Sequence, residues 1–201
     1  LTHFGFNDGL MLSYGGSSYE SLNKTKFRSN SLFFIIFQLI ISIIIFSGSL
    51  LVKIKIYKEL FMLLGIINFT QNLLIYYQNI SQMIVRYKEY SIVNIIQYLL
   101  IIISIICIWL YCKLFNLHSI NFVYYVISLI LIDIILISWY LWRYRLITFG
   151  YHFPLIKELK YFERYFISGS YMTFGYGVSL LIFNLDSQFV IKLFSIKTYG
   201  I

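Results

Sequence analysis

Between positions 60 and 85 the chain reads LFMLLGIINFTQNLLIYYQNISQMIV, a stretch without a charged side chain that is long enough to cross a bilayer. Six amides interrupt it, and five of them share one face. Asn68, Gln71, Asn72, Asn79 and Gln82 fall within about 100° of helical arc, and Arg86 extends the same face just past the end. An amide is costly in hydrocarbon unless it is partnered, so this face must turn toward other helices or toward a water-filled cavity. The sequence therefore describes a membrane protein with an internal polar surface.

The rest of the chain agrees. Sixty per cent of its 201 residues are hydrophobic and only 12% are charged, with a mean hydropathy of +0.79, well outside the soluble range. Four further segments, 31–52, 90–112, 120–142 and about 165–191, each reach the roughly 20 apolar residues that a spanning helix needs. The expected fold is all-α, a polytopic transmembrane helix bundle, with short connections after 52, 85 and 112 making consecutive helices antiparallel neighbours. Residues 1–30, rich in Gly, Ser and Asn, read as the exit of a preceding helix followed by a cytoplasmic loop; 31–142 holds four spans. Segment 143–164 forms the longest connection. There Leu155, Ile156, Leu159, Phe162 and Phe166 recur at helical spacing among charges, after Pro154 at a plausible helix start. Two readings fit: an amphipathic helix on the cytoplasmic membrane surface, or the N-terminal extension of the span that follows.

A net charge of +8 would suggest nucleic acid for a soluble protein, but the basic residues here sit mostly between spans and act as topology signals. Lys24, Lys26, Arg28, Arg86, Lys88, Arg143, Arg145, Lys157, Lys160 and Arg164 lie on one side. Lys53, Lys55, Lys58, Lys113, Lys192 and Lys197 lie on the other. The larger set belongs in the cytoplasm, and no nucleic-acid partner is expected. Trp109, Tyr111, Trp139, Tyr140, Trp142 and Tyr144 gather at span ends, where rings with a polar edge favour the headgroup level.

Little in the chain suggests bond-making chemistry. His3, His118 and His152 are isolated, Cys107 and Cys112 share one helix, and no phosphate-binding Gly-rich loop occurs, so no enzyme activity, metal or cofactor is expected. Two acids nevertheless sit inside spans. Asp133, mid-helix in LILIDIILIS, and Asp186, in IFNLDSQFVIK, are candidates for ion coupling, although a carboxyl kept for helix packing explains Asp133 equally well. The amide stripe has its own structural alternative, because amides also join helices. Six aligned polar positions exceed what that task usually needs, which makes Asn68, Gln71, Asn72, Asn79, Gln82 and Arg86 the candidate substrate-binding residues, with Asn94 and Gln97 on the next helix as possible additions. In the last span Gly169, Thr173 and Gly177 stand four apart, with Gly175 between, a spacing that permits close helix approach or bending.

Three pieces in order, HFGFNDGLMLSYGGSSYESLNK at 3–24, the spacing of the next four helices, and NLDSQFVIKLFSIKTYGI at 184–201, resemble the Wzx-type oligosaccharide flippases. These are the O-antigen and capsule repeat-unit exporters of the multidrug, oligosaccharidyl-lipid and polysaccharide exporter superfamily. Gly9, Tyr14, Gly15 and Gly16 match the first motif, while Asp186 and Gly200 match the third. The resemblance implies one lobe of a two-lobed alternating-access transporter in a bacterial inner membrane. On that expectation the spans are helices three to seven of a longer protein, 143–164 is the inter-lobe linker, and 165–201 is the truncated first helix of the C-terminal lobe. The implied partners are an undecaprenyl-pyrophosphate-linked oligosaccharide, membrane lipids and other polysaccharide-assembly proteins. One departure stands out: related flippases place cations deep in the lumen for the pyrophosphate, whereas here Arg86 at a helix end is the nearest candidate. A polysaccharide polymerase or ligase of the same pathway is the alternative, disfavoured by short outer loops. A permease subunit serving a separate ATPase is a third reading.

Overall fold

A computed structural model describes residues 5–115, 122–145 and 156–193. Among them the protein is an all-α helix bundle: α1 (Phe6–Tyr14), α2 (Lys24–Gly48, closed by one tighter turn at Ser49–Leu51), α3 (Lys55–Met83), α4 (Tyr87–Leu114), α5 (Phe122–Arg143) and α6 (Ile156–Leu193). Four helical stretches, Lys24–Leu51, Tyr57–Met83, Tyr87–Leu114 and Phe122–Arg143, are long and apolar enough to cross a membrane. The fifth expected span, 165–191, lies within α6.

The helices begin earlier than their apolar cores. α2 starts at Lys24 rather than near 31, because the Asn23 side chain accepts a hydrogen bond from the Lys26 N–H at 3.1 Å and so caps the first turn. The segment expected to be an exit and a loop accordingly splits into a nine-residue helix, a connection over 15–23, and the first turns of α2. At the other end, α6 runs unbroken for 38 residues, about 57 Å at helical rise. From Ile156 onward the amphipathic segment is continuous with the last span, which decides in favour of an N-terminal extension there; His152, Pro154 and Leu155 lie outside the described residues.

α3 is the hub. It packs against α2, α5, α1 and α4, and 39% of its most apolar window is buried within the protein, against 6% for the peripheral α4. Direction follows from the contacts. Phe6 of α1 stacks beside Tyr76, and the Gly16 N–H, beyond the end of α1, donates to the Met83 carbonyl, so α1 and α3 run parallel. The Gly16 backbone has φ of 83°, a left-handed conformation that suits glycine at this turn. A stack of Phe6, Phe34 and Tyr76 forms the apolar centre, with Phe34 and Tyr76 centroids 4.5 Å apart.

At the α1–α6 contact the two backbones nearly touch. Gly169 lies directly against the backbone of Gly5 and Gly9, and a side chain built at Gly9 would collide with the Tyr165 carbonyl. Tyr14 and Tyr165 hydroxyls share a hydrogen bond of 2.9 Å at the same seam. The small-residue spacing expected of this helix therefore does pack at Gly169. Gly175 and Gly177 instead face open space. Gly169→Val is expected to lower stability by about 2–3 kcal/mol through overpacking, whereas Gly177→Val leaves it nearly unchanged; thermal unfolding of both variants in detergent measures the difference.

Candidate functional site

Four residues of the stripe occupy the least covered side of α3, where Gln71 is exposed and Asn68, Asn79 and Gln82 are half-buried. Asn72, at the edge of the arc, is buried. The stripe does not meet a single environment. Its upper part joins α2, where Asn68 donates to the Ser42 hydroxyl at 3.2 Å and Asn72 donates back to the Asn68 carbonyl and side-chain oxygens at 2.7 and 3.0 Å. This close approach depends on Gly65, one turn earlier, which lies against the Ser42 carbonyl. Lower down, Asn79 shares a small space with Asn7, Leu10, Met11, Tyr76, Ile80 and Met83 that is too tight to hold a water molecule.

Arg86, the candidate cation at the end of the stripe, is engaged within the protein. Its guanidinium pairs with Glu89 at 3.0 Å and lies 4.9 Å from the Tyr19 ring centroid. Glu89 also accepts from Arg143 at 2.7 Å and from the Tyr144 hydroxyl at 2.8 Å, and that hydroxyl lies 3.0 Å from the Ser81 oxygen. Three side chains, Arg86 from the α3–α4 turn and Arg143 and Tyr144 from the end of α5, thus meet at one carboxylate, with Ser81 of α3 and Tyr19 of the loop after α1 packed behind them. Burial raises the Tyr144 hydroxyl above the usual tyrosine range, so it stays protonated and donates. Beside this cluster the turn holds Val85 at φ of 59°, an uncommon conformation for a β-branched residue, fixed by the Arg86 N–H donating to the Ser81 carbonyl at 2.8 Å.

Asp133 is buried on α5 and accepts a hydrogen bond of 3.1 Å from Thr70 of α3. The acid is part of a helix contact. Asp186 sits on α6 beyond the last described side chain, and Gly200 lies outside the described residues. Among the described residues no three His, Cys, Asp or Glu side chains come together as a metal site would require.

Several polar groups were not legible as partners. Gln78 of α3 donates to Asn94 at 2.8 Å and to Gln97 at 3.1 Å on α4, so those two amides serve a helix contact off the stripe's own face. Ser31 and Tyr76 hydroxyls meet at 2.6 Å between α2 and α3. More informative are two fully buried amides, Asn7 of α1 and Asn30 of α2, whose side-chain atoms find no hydrogen-bond partner among the described residues. The buried hydroxyl of Tyr77, whose ring stacks 6.0 Å from that of Tyr140, is equally unpartnered there. Asn7 had passed for part of a Gly-rich exit, and only its place within helical reach of Leu10 and Met11 signals that it faces inward.

No family model, no curated protein and no solved structure matches this chain.

The cluster around Glu89 sets the α3–α4 turn against α5, and a double-mutant cycle measures how strongly. Because the Arg143 side chain is 44% exposed, Glu89→Gln combined with Arg143→Gln is expected to give a coupling of about 1 kcal/mol rather than the larger value of a buried pair. Unfolding of the four proteins by denaturant in micelles reads it.

Proposed function

We infer that the protein is a membrane flippase that passes a lipid-linked oligosaccharide from one face of the bilayer to the other, with no bond made or broken. One observation carries the reading: membrane-depth amides in surplus over those that helix joining consumes. Asn68 and Asn72 bond within the protein, as do Gln78, Asn94 and Gln97. Gln71 remains exposed, Asn79 and Gln82 half-exposed, and Asn7 and Asn30 buried without partners among the described residues. A buried amide left unpaired costs about 1–3 kcal/mol. Such a cost is sustained where the group finds its partner at another point of a working cycle, and sugar hydroxyls or water entering between α1 and α3 supply both donors and acceptors.

The packing supports the same reading. Asn7 and Asn79 face each other's space across the α1–α3 seam, and α1 is held to α6 by a glycine crossing, a tyrosine pair and the buried Phe6 ring against Phe162. Sliding α1 with α6 away from α3 brings Asn7 and Asn79 to one open polar wall. The resemblance in the 3–24 and 184–201 segments is the second support, and it names the cargo class: an oligosaccharide on an isoprenoid diphosphate. Arg86, already neutralised by Glu89, serves in this scheme to hold the turn, and the anionic headgroup is met elsewhere.

Gln71→Leu combined with Asn79→Leu is expected to cut surface polysaccharide in complemented cells by roughly tenfold or more, equivalent to about 1.4 kcal/mol at the rate-limiting step. Membrane insertion stays intact, and Ile103→Leu on the exposed face of α4 serves as the neutral control. Wild-type polysaccharide in the double variant overturns the reading.

A further inference from the structure

The end of the bundle that carries the Glu89 cluster has charge left over. Arg86, Arg143 and Arg145 converge there against the single carboxylate of Glu89, while the neighbouring Glu20 is exposed and pairs with none of them among the described residues. Arg145 has no acidic partner among the described residues. It lines, with Arg143, Tyr19 and Trp142, an open cleft of about 290 Å³. The cleft has a built floor: Tyr19 lies 6.2 Å from the Tyr144 ring and carries Arg86 on its face, and Arg143 is oriented by two donations to one Glu89 oxygen. Two guanidinium groups beside two aromatic rings, with the excess charge positive, form a phosphate site in chemical terms.

What delivers the phosphate follows from the helix leading to it. Leu131, Ile135, Ser138 and Trp142 recur at i, i+4, i+7 and i+11 on α5, and all four are exposed, so they form one outward stripe. On a helix of this hydropathy an exposed apolar stripe faces acyl chains, and it ends at Trp142, 70% exposed, where an indole favours the headgroup level. A lipid lying along Leu131 and Ile135 therefore brings its headgroup to Trp142, Arg143 and Arg145. We propose that the cleft between Tyr19, Trp142, Arg143 and Arg145 is a binding site for the phosphate of an anionic bilayer phospholipid. The bound lipid neutralises the surplus charge and ties the end of α5 to the leaflet that holds the larger share of Lys and Arg. It is an annular lipid rather than cargo, so the site stands whether or not the transport reading does.

The stripe offers its own probe. In the 201-residue chain carrying Trp109→Phe and Trp139→Phe, Trp142 is the one remaining tryptophan of three. Reconstituted at low mole fraction of brominated lipid, Trp142 is expected to be quenched several times more by brominated phosphatidylglycerol than by brominated phosphatidylcholine. Arg145→Gln should weaken the apparent anionic-lipid affinity roughly fivefold, the equivalent of one basic residue at a membrane surface, whereas Arg145→Lys should retain most of it. Both variants keep the wild-type melting temperature if the site is a surface feature. Equal quenching by the two lipids overturns the proposal, as does an Arg145→Gln variant indistinguishable from its parent. Competition by millimolar inorganic phosphate, with loss of the lipid preference, would reassign the cleft to a soluble anion.

Discussion

Hydrocarbon offers no hydrogen bonds, and that single property governs how these helices are arranged. A polar side chain at membrane depth is costly unless it is met by another, so the polar pairs mark where helices touch. Thr70 with Asp133 joins α3 to α5, Ser31 with Tyr76 joins α2 to α3, and Gln78 with Asn94 and Gln97 joins α3 to α4. α3 takes part in all three contacts. Its central place follows from its sequence, because among the four membrane-length stretches it has the lowest mean hydropathy, 1.4 against 2.3 to 2.5. α4, rich in isoleucine, joins α3 through Asn94 and Gln97 and otherwise stays outside, with 6% of its most apolar window buried.

How much of this was legible depended on the range of the interaction. Helix type and the four membrane-length stretches follow from local hydropathy and were readable directly, whereas helix ends shifted outward because a capped first turn such as Asn23–Lys26 continues into the headgroup zone beyond the apolar core. Periodicity found the stripe from Asn68 to Arg86 but not the partners of its members. Gln78 lies off that arc and yet makes two interhelical amide contacts, since what matters is which neighbour arrives opposite it. Nothing in the local sequence singles out Glu89. Its partners Arg143 and Tyr144 are 54 and 55 residues away, a separation that no local pattern encodes.

The two ends of α3 illustrate different solutions to the same constraint. Near Gly65 and Ser42 the backbones come close and amides bond within the protein, which makes a rigid seam. Near Asn79 the seam to α1 is dry but chemically unbalanced, with Asn7 unpartnered among the described residues. Dry and unbalanced is a less stable combination than either dry and apolar or wet and polar. A contact of that kind favours separation more than a matched one does, and the balance is restored when polar atoms of a ligand or of water enter.

Such a seam needs a fixed point against which to move. The Glu89 cluster supplies one at the end of α3, because Arg86 of the α3–α4 turn and Arg143 and Tyr144 at the end of α5 converge on a single carboxylate and hold the turn against α5. Val85 is retained in a left-handed conformation there at a cost of about 1–2 kcal/mol, which the surrounding bonds must offset for the turn to keep its shape. α1 makes no hydrogen bond to that carboxylate among the described residues; it is attached instead to α6 through Gly5, Gly9 and Gly169. The division is therefore between α3, α4 and α5, locked at one end by charge, and α1 with α6, packed by glycine. The unpaired amide of Asn7 lies on the boundary between the two groups, where relative motion changes its surroundings most.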